Sequence, residues 1–139
     1  RTQARKVAAG LKRLKIEPDL IVTSPYVRAV QTAQEVARIL QFKEPVQECD
    51  ALRAEVYPAE TSMALNRFSG YEQLLLIGHE PHISGWLAEM VAAPSGLHCV
   101  FKKSGVARVD LTEVPPPRGS GVLKWLMTPK QLQLLGNGG

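Results

Sequence analysis

The sequence predicts a single-domain α/β fold, with a mostly parallel sheet covered by helices on both faces. Two short apolar runs, Asp19–Thr23 and Gln73–Ile77, have the length and composition of buried strands. Each run is followed by an amphipathic stretch in which apolar residues recur at helical spacing. Strands that alternate with helices are typical of parallel sheets, whose right-handed crossovers cover both faces.

The other elements follow from the same patterns. Helical periodicity predicts helices from Arg1 to before Pro18, over Pro25–Leu40, weakly over Ala59–Phe68, and over Pro81–Val91. In the second helix the predicted apolar stripe consists of Val27, Val30, Ala33, Ala37 and Leu40. Further strands are predicted over Pro45–Cys49, Leu97–Phe101, Val106–Leu111 and Val122–Met127, and a final short helix begins at Thr128.

The domain limits are predicted from the two ends of the sequence. The first helix is already under way at Arg1, and no capping residue precedes it. We therefore expect an N-terminally incomplete domain over residues 1–135. The glycine-rich residues 136–139 are predicted to form a flexible tail.

Composition narrows the class of protein. The 139 residues are 45% hydrophobic and 22% charged, which is ordinary for a soluble globular domain. A net charge of +4 mildly favours anionic ligands, but no basic run is interleaved with aromatic residues, so nucleic acid is not a predicted partner. No apolar run approaches the length of a membrane span. Cys49 and Cys99 form no CxxC motif and are interpreted as reduced thiols, which predicts a cytoplasmic location.

Two predicted strand-to-helix corners carry the chemistry. One is Ser24–Arg28 and the other is Gly78–Pro81. Since the carboxyl ends of parallel strands meet at one edge of a sheet, Arg28 and His79 are expected to share a pocket there. Ser24 is the predicted N-cap and Pro25 the first helical residue. An arginine fork, two helix N-termini and a histidine suit a phosphoryl group.

Plainer interpretations of these residues stay open at this point. Arg28 is equally suited to a surface ion pair with Glu35, and His79 to an ordinary loop hydrogen bond. His79 and His82 lack the i, i+4 spacing of a zinc-binding helix, so no metal is predicted, and His82 is interpreted as a polar residue near the rim.

The two corners together resemble the histidine phosphatase superfamily, which includes the phosphoglycerate mutases. The residues that carry the resemblance are Thr-Ser-Pro-Tyr-Val-Arg-Ala-Val-Gln-Thr-Ala from Thr23 and Gly-His-Glu-Pro from Gly78. The small size, the Phe101–Gly105 segment and the closing Trp125–Pro129 segment are similar to the bacterial phosphohistidine phosphatases of the SixA type. The resemblance extends over nearly the whole chain.

The resemblance implies a phosphoglycerate mutase-like fold and a cofactor-free hydrolase. In that family a nucleophilic histidine takes the phosphoryl group, while two arginines and a second histidine hold its oxygens. By position Arg28 matches the second arginine and His79 the second histidine, and Ser24, Gly78 and Glu80 are predicted to bind substrate. The family's Arg-His-Gly motif does not occur in this sequence. The chain is therefore expected to lack the first strand and, as given, to be inactive.

The implied activity is removal of a phosphoryl group from a phosphohistidine-bearing phosphotransfer protein, through a covalent phosphohistidine enzyme intermediate. One alternative is a small-molecule phosphomonoesterase or mutase of the same superfamily. Another is an inactive phosphate-binding or interaction module, if the complete protein has no nucleophile. Asp50, Glu55 and Glu60 are candidates for a general acid, and spacing does not choose among them.

Overall fold

Strands and helices alternate along the chain as predicted. The computed structural model describes residues 2–92 and 105–138. In chain order these residues form α1 (Thr2–Arg13), β1 (Leu20–Thr23), α2 (Val27–Leu40), β2 (Gln47–Glu48), a 3₁₀ turn (Asp50–Leu52), α3 (Pro58–Ala64), a second 3₁₀ turn (Leu65–Phe68), β3 (Leu74–Ile77), α4 (His82–Val91), β4 (Val106–Asp110), β5 (Val122–Met127) and α5 (Pro129–Asn137). Within this described part, none of the helices combines the length and apolarity that crossing a membrane requires.

The first sheet is parallel, and its strand order is β2-β1-β3. Helices cover both of its faces, which confirms the predicted α/β class. On one face Leu20 and Val22 pack against Trp86 and Met90 of α4. On the other face Ile21 packs in one cluster with Ala33 and Ala37 of α2, and α1 and α5 bury Val7, Leu11 and Leu132 together.

Strands β4 and β5 form a separate antiparallel sheet. Among the described residues neither β3 nor β4 has a strand along its outer edge. Between these edges lies a cleft of about 1100 Å³, whose walls come mainly from α1, α2, β3, α4 and β4.

Helix α2 corrects one prediction. It begins at Val27 rather than at Pro25, and its N-cap is Tyr26, which makes no side-chain capping bond. The Ser24 hydroxyl is still used locally, because it accepts a hydrogen bond from the Tyr26 amide at 3.3 Å. The buried face of the helix also differs from the predicted stripe. Val27 is 72% exposed, whereas Ala29 and Val36 join Ala33 and Ala37 in the core.

The C-terminal part matches its prediction closely. Thr128 and Gln131 form the capping box that starts α5. The helix continues to Asn137 and so takes in two residues of the predicted tail, since Gly136 packs against the backbone of Gly10 in α1. The strand predicted over Leu97–Phe101 lies outside the described residues.

The contact between α1 and α5 depends on Gly10. A Cβ atom there would lie 2.2 Å from the carbonyl oxygen of Leu132, which is backbone and cannot rotate away. A Gly10→Ala substitution should therefore lower the free energy of unfolding by about 2 kcal/mol or more, the cost of overpacking a close contact. Gly70→Ala is the control, because no heavy atom lies within 4 Å of its Cβ position, and it should change stability by less than about 1 kcal/mol. Urea denaturation of both variants tests this, and equal midpoints would contradict the assignment.

Candidate functional site

The site lies where β1 and β3 end side by side. Thr23 pairs with Ile77 in the parallel register, and the Ser24 amide donates to the Ile77 carbonyl at 2.9 Å. The next residues of each chain segment are thereby brought together. Ser24 Oγ and His79 Nε2 are 2.7 Å apart, a hydrogen bond whose direction follows from which ring nitrogen carries the proton. Ser24 is fully buried and so fixes the orientation of the imidazole.

Arg28 and His79 line the same cleft. Arg28 is exposed in the first turn of α2, where no acidic residue competes for it. The structure does not support the alternative of an Arg28–Glu35 ion pair. Glu35 instead forms ion pairs with Arg5 and Arg38. The guanidinium of Arg28 is therefore available to an anion in the cleft.

His79 is held in an environment that favours its neutral form. Partial burial lowers the pKa of His79, and the nearby Glu55 carboxylate opposes this shift only partly. A bound phosphoryl dianion would raise the pKa, because its charge stabilises the imidazolium. The imidazole can therefore bind as a neutral ring and gain a proton when an anion is present.

Gly78 and Glu80 flank His79 and line the cleft with it. The space above Gly78 is filled by Ile83, whose Cδ1 lies 2.8 Å from the point that a Cβ atom on Gly78 would occupy, so this glycine serves the packing of α4. Both carboxylate oxygens of Glu80 accept hydrogen bonds from Ser84, at 3.0 Å from its amide and 2.5 Å from its hydroxyl. Glu80 therefore caps α4, and substrate binding by Gly78 and Glu80 stays a prediction.

A second group of residues at the rim was not foreseen as a unit. The Tyr26 ring lies 4.7 Å from the His79 ring, and its hydroxyl donates to Glu55 Oε1 at 2.9 Å. The Arg53 guanidinium lies over the Tyr26 ring, 5.4 Å from the ring centre. Arg53 also forms an ion pair with Asp50 at 3.2 Å. The sequence placed Tyr26 inside the first corner but gave no signal for its contact with Glu55.

Three comparisons with known proteins show what the chain is similar to. Residues 1–57 match the family model of the histidine phosphatase superfamily (branch 1). The chain is 28% identical to the phosphohistidine phosphatase SixA of Escherichia coli (strain K12) over 95% of this chain and 80% of that protein. The structure of the protein histidine phosphatase SixA complexed with tungstate superposes with a TM-score of 0.79 and 28% identity over 93% of this chain and 80% of that one.

These findings support a SixA-like protein of the histidine phosphatase superfamily. A SixA structure from Agrobacterium tumefaciens, 22% identical over 92% of this chain and 79% of that chain, has a TM-score of 0.71 and supports the fold. The family-model match includes Ser24 and Arg28, and the SixA comparisons extend over most of the chain. The resemblance inferred from the two corners is thus confirmed.

The position of His82 corrects a prediction. It is not a rim residue: only 5% of it is exposed, and its Nε2 lies 2.9 Å from Thr61 Oγ1. The Thr61 hydroxyl donates to the Ala51 carbonyl at 2.7 Å, so His82 Nε2 is the donor to Thr61. Nδ1 of His82 is buried and has no partner within the described residues. Those residues also contain no group of three or more metal-ligating side chains.

Burial makes His82 a source of acid sensitivity. It lowers the pKa of His82 from its ordinary value near 6.5, so the unfolded chain takes up the proton first as the pH falls. Stability should therefore be intact above about pH 6.5 and decline below it, until the folded state is protonated too. The slope contributed by one such group reaches about 1.4 kcal/mol per pH unit.

The measurement is the free energy of unfolding between pH 7.5 and 5 for the wild type and for His82→Gln. The variant should be less stable at pH 7.5, because it loses a buried hydrogen bond, but its stability should depend less steeply on pH. His79→Gln separates the contribution of the other histidine, whose pKa is lowered in the same direction. An unchanged slope in His82→Gln would show that His82 does not titrate as described.

Proposed function

We propose that this domain forms the phosphate-holding part of a phosphohistidine phosphatase that acts on a phosphohistidine-bearing protein. The observation that carries the proposal is the placement of Arg28 and His79 in one cleft at the ends of β1 and β3, with His79 oriented by Ser24. E. coli SixA, its relative, is named for this activity, and the SixA structure that superposes well is complexed with tungstate, a tetrahedral oxyanion.

The site has three features that favour a phosphoryl group. Arg28 can donate two hydrogen bonds from its fork to two phosphate oxygens. The α2 terminus has neither a capping side chain nor an acidic residue in its first turn, so its amides and positive dipole end are unopposed. His79 can add a donor once the anion has raised its pKa. These donors are positioned to stabilise the charge of the phosphoryl group in the transition state.

The proposed reaction proceeds through a covalent intermediate. A histidine nitrogen of the enzyme attacks phosphorus, the bond from phosphorus to the substrate imidazole breaks, and its electron pair returns to the leaving ring. Water then attacks phosphorus, the bond from phosphorus to the enzyme's histidine breaks with its electron pair returning to that ring, and inorganic phosphate is released. The resemblance assigns the nucleophile to an Arg-His-Gly motif that this sequence lacks, so we propose that residues 1–139 alone bind phosphate but do not turn over.

A protein substrate fits the exposure of the site. Arg28 is exposed, and Tyr26, beside His79, is 37% exposed, so the phosphate-binding groups are reachable from the surface. A phosphorylated side chain on a folded partner can reach such a site without being enclosed. The proposal also keeps the predicted cytoplasmic location, where phosphotransfer proteins act.

Arg28→Ala tests the role of the guanidinium. In the full-length gene product it should lower kcat/KM for a phosphohistidine protein by about 100-fold or more, because two charge-assisted contacts to the transferring group are lost. Thermal unfolding should be unaffected, since Arg28 is exposed. Arg38→Ala on the same helix is the matched control and should retain activity, because the Arg38 side chain is 62% exposed and its ion pair in the described part of the chain is with Glu35. Near-normal turnover in Arg28→Ala would remove Arg28 from the site.

Chelation tests the proposal that protein groups alone neutralise the phosphate. Treatment of the full-length protein with EDTA should leave its turnover of a phosphohistidine protein unchanged, because Arg28, His79 and the α2 terminus supply the positive charge. A large loss of activity that zinc restores would instead favour a metal centre.

A further inference from the structure

The Tyr26–Glu55 pair joins the phosphate site to its rim. The Tyr26 amide donates to Ser24, its ring contacts His79, and its hydroxyl donates to Glu55. Tyr26 therefore connects Ser24, which orients the His79 imidazole, to the Glu55 carboxylate. We propose that Glu55 is a specificity-determining residue, which accepts a hydrogen bond from the free, protonated ring nitrogen of the substrate's phosphorylated imidazole. This inference rests on the proposed function.

Of the three acidic residues considered for a general acid, Glu55 is the one connected to His79, through Tyr26. Asp50 is engaged by Arg53. Glu60 is exposed in the first turn of α3, where the positive end of the helix dipole stabilises its carboxylate. Glu55 alone is hydrogen-bonded to a residue that contacts His79, and its charge acts on both His79 and His82. Spacing in the sequence could not choose among these three residues, but their contacts do.

The charge state of Glu55 suits an acceptor rather than a general acid. Hydrogen bonds from its own backbone and from Tyr26 lower the pKa of Glu55, and the charged groups that face it, Arg53 and His79, act in the same direction. Glu55 is also exposed, so it is ionised at neutral pH. A carboxylate that holds no proton cannot protonate a leaving group, but it can accept a hydrogen bond from one.

The chemistry of the leaving group explains why this matters. A phosphorylated imidazole has one free ring nitrogen, which can carry a proton. When it does, breakage of the phosphorus–nitrogen bond returns the electron pair to the ring, and the ring leaves as neutral imidazole with that proton still in place. A carboxylate beside the N–H stabilises the protonated ring before the bond breaks. A phosphomonoester offers no such N–H, and its leaving oxygen is repelled by the same negative charge.

The test compares two substrates in the full-length protein, a phosphohistidine peptide and para-nitrophenyl phosphate. For Glu55→Gln we expect the ratio of their kcat/KM values to fall about fivefold toward the ester, the effect of one charge pair at an exposed position. Glu55→Asp keeps the charge and should recover part of the ratio. Tyr26→Phe removes the hydroxyl that positions Glu55 and should shift the ratio in the same direction as Glu55→Gln. Glu44→Gln is the matched control, because Glu44 is also exposed but, within the described residues, makes no hydrogen bond to Tyr26.

A pH profile separates this role from a merely structural one. With Glu55 present, kcat/KM for the phosphohistidine peptide should remain high to a higher pH, because the carboxylate holds the proton on the substrate ring. Glu55→Gln should shift this alkaline limb to lower pH. An unchanged ratio and an unchanged limb in Glu55→Gln would overturn the inference. Absence of phosphohistidine turnover in the wild type, with ester hydrolysis retained, would instead overturn the proposed function.

Discussion

The site depends on the in-register parallel pairing of β1 and β3. Asp19 fixes the start of this pair, because its carboxylate accepts from the amides of Glu72 and Gln73. The Ser24 amide fixes its end on the Ile77 carbonyl. A shift by one residue would exchange the two faces of a strand, so each apolar side chain would meet the wrong helix layer. The burial of the core therefore sets the register, and the register places Ser24 against His79.

Electrostatics at this edge are arranged for a ligand that brings its own charge. Burial keeps His79 neutral in the free protein, so Arg28 and the α2 terminus carry the positive potential. A dianion strengthens the site as it binds, because it raises the pKa of His79. Glu55 is bonded to the hydroxyl of Tyr26, whose ring contacts His79, so one side chain lies between its negative charge and the imidazole. Attraction for phosphate and discrimination among leaving groups are thereby separated in space.

The sequence predicted the fold class, the strand-to-helix corners at one edge of the sheet and the final helix that begins at Thr128, because these follow from periodicity, strand composition and local capping chemistry. It misplaced the start of α2, because Ser24 and Pro25 have the chemistry of a cap, whereas the Ser24 hydroxyl is used by Tyr26 and His79. It misjudged His82, whose burial depends on Thr61 in another helix. It could not select Glu55, because that choice comes from a tertiary contact with no periodic signature.

The second sheet is connected to the site through α4. The amides of Gly119 and Gly121, in the β4–β5 connection, donate to the carbonyls of Glu89 and Met90 at 3.0 and 2.7 Å. Gly119 adopts a φ of 76°, and a Cβ there would lie 2.9 Å from the Ala92 carbonyl oxygen, so the connection approaches the end of α4 closely. The other end of α4 follows directly after His79. The helix is thus held at both ends, and the far wall of the cleft helps to position the imidazole that we assign to the phosphoryl group.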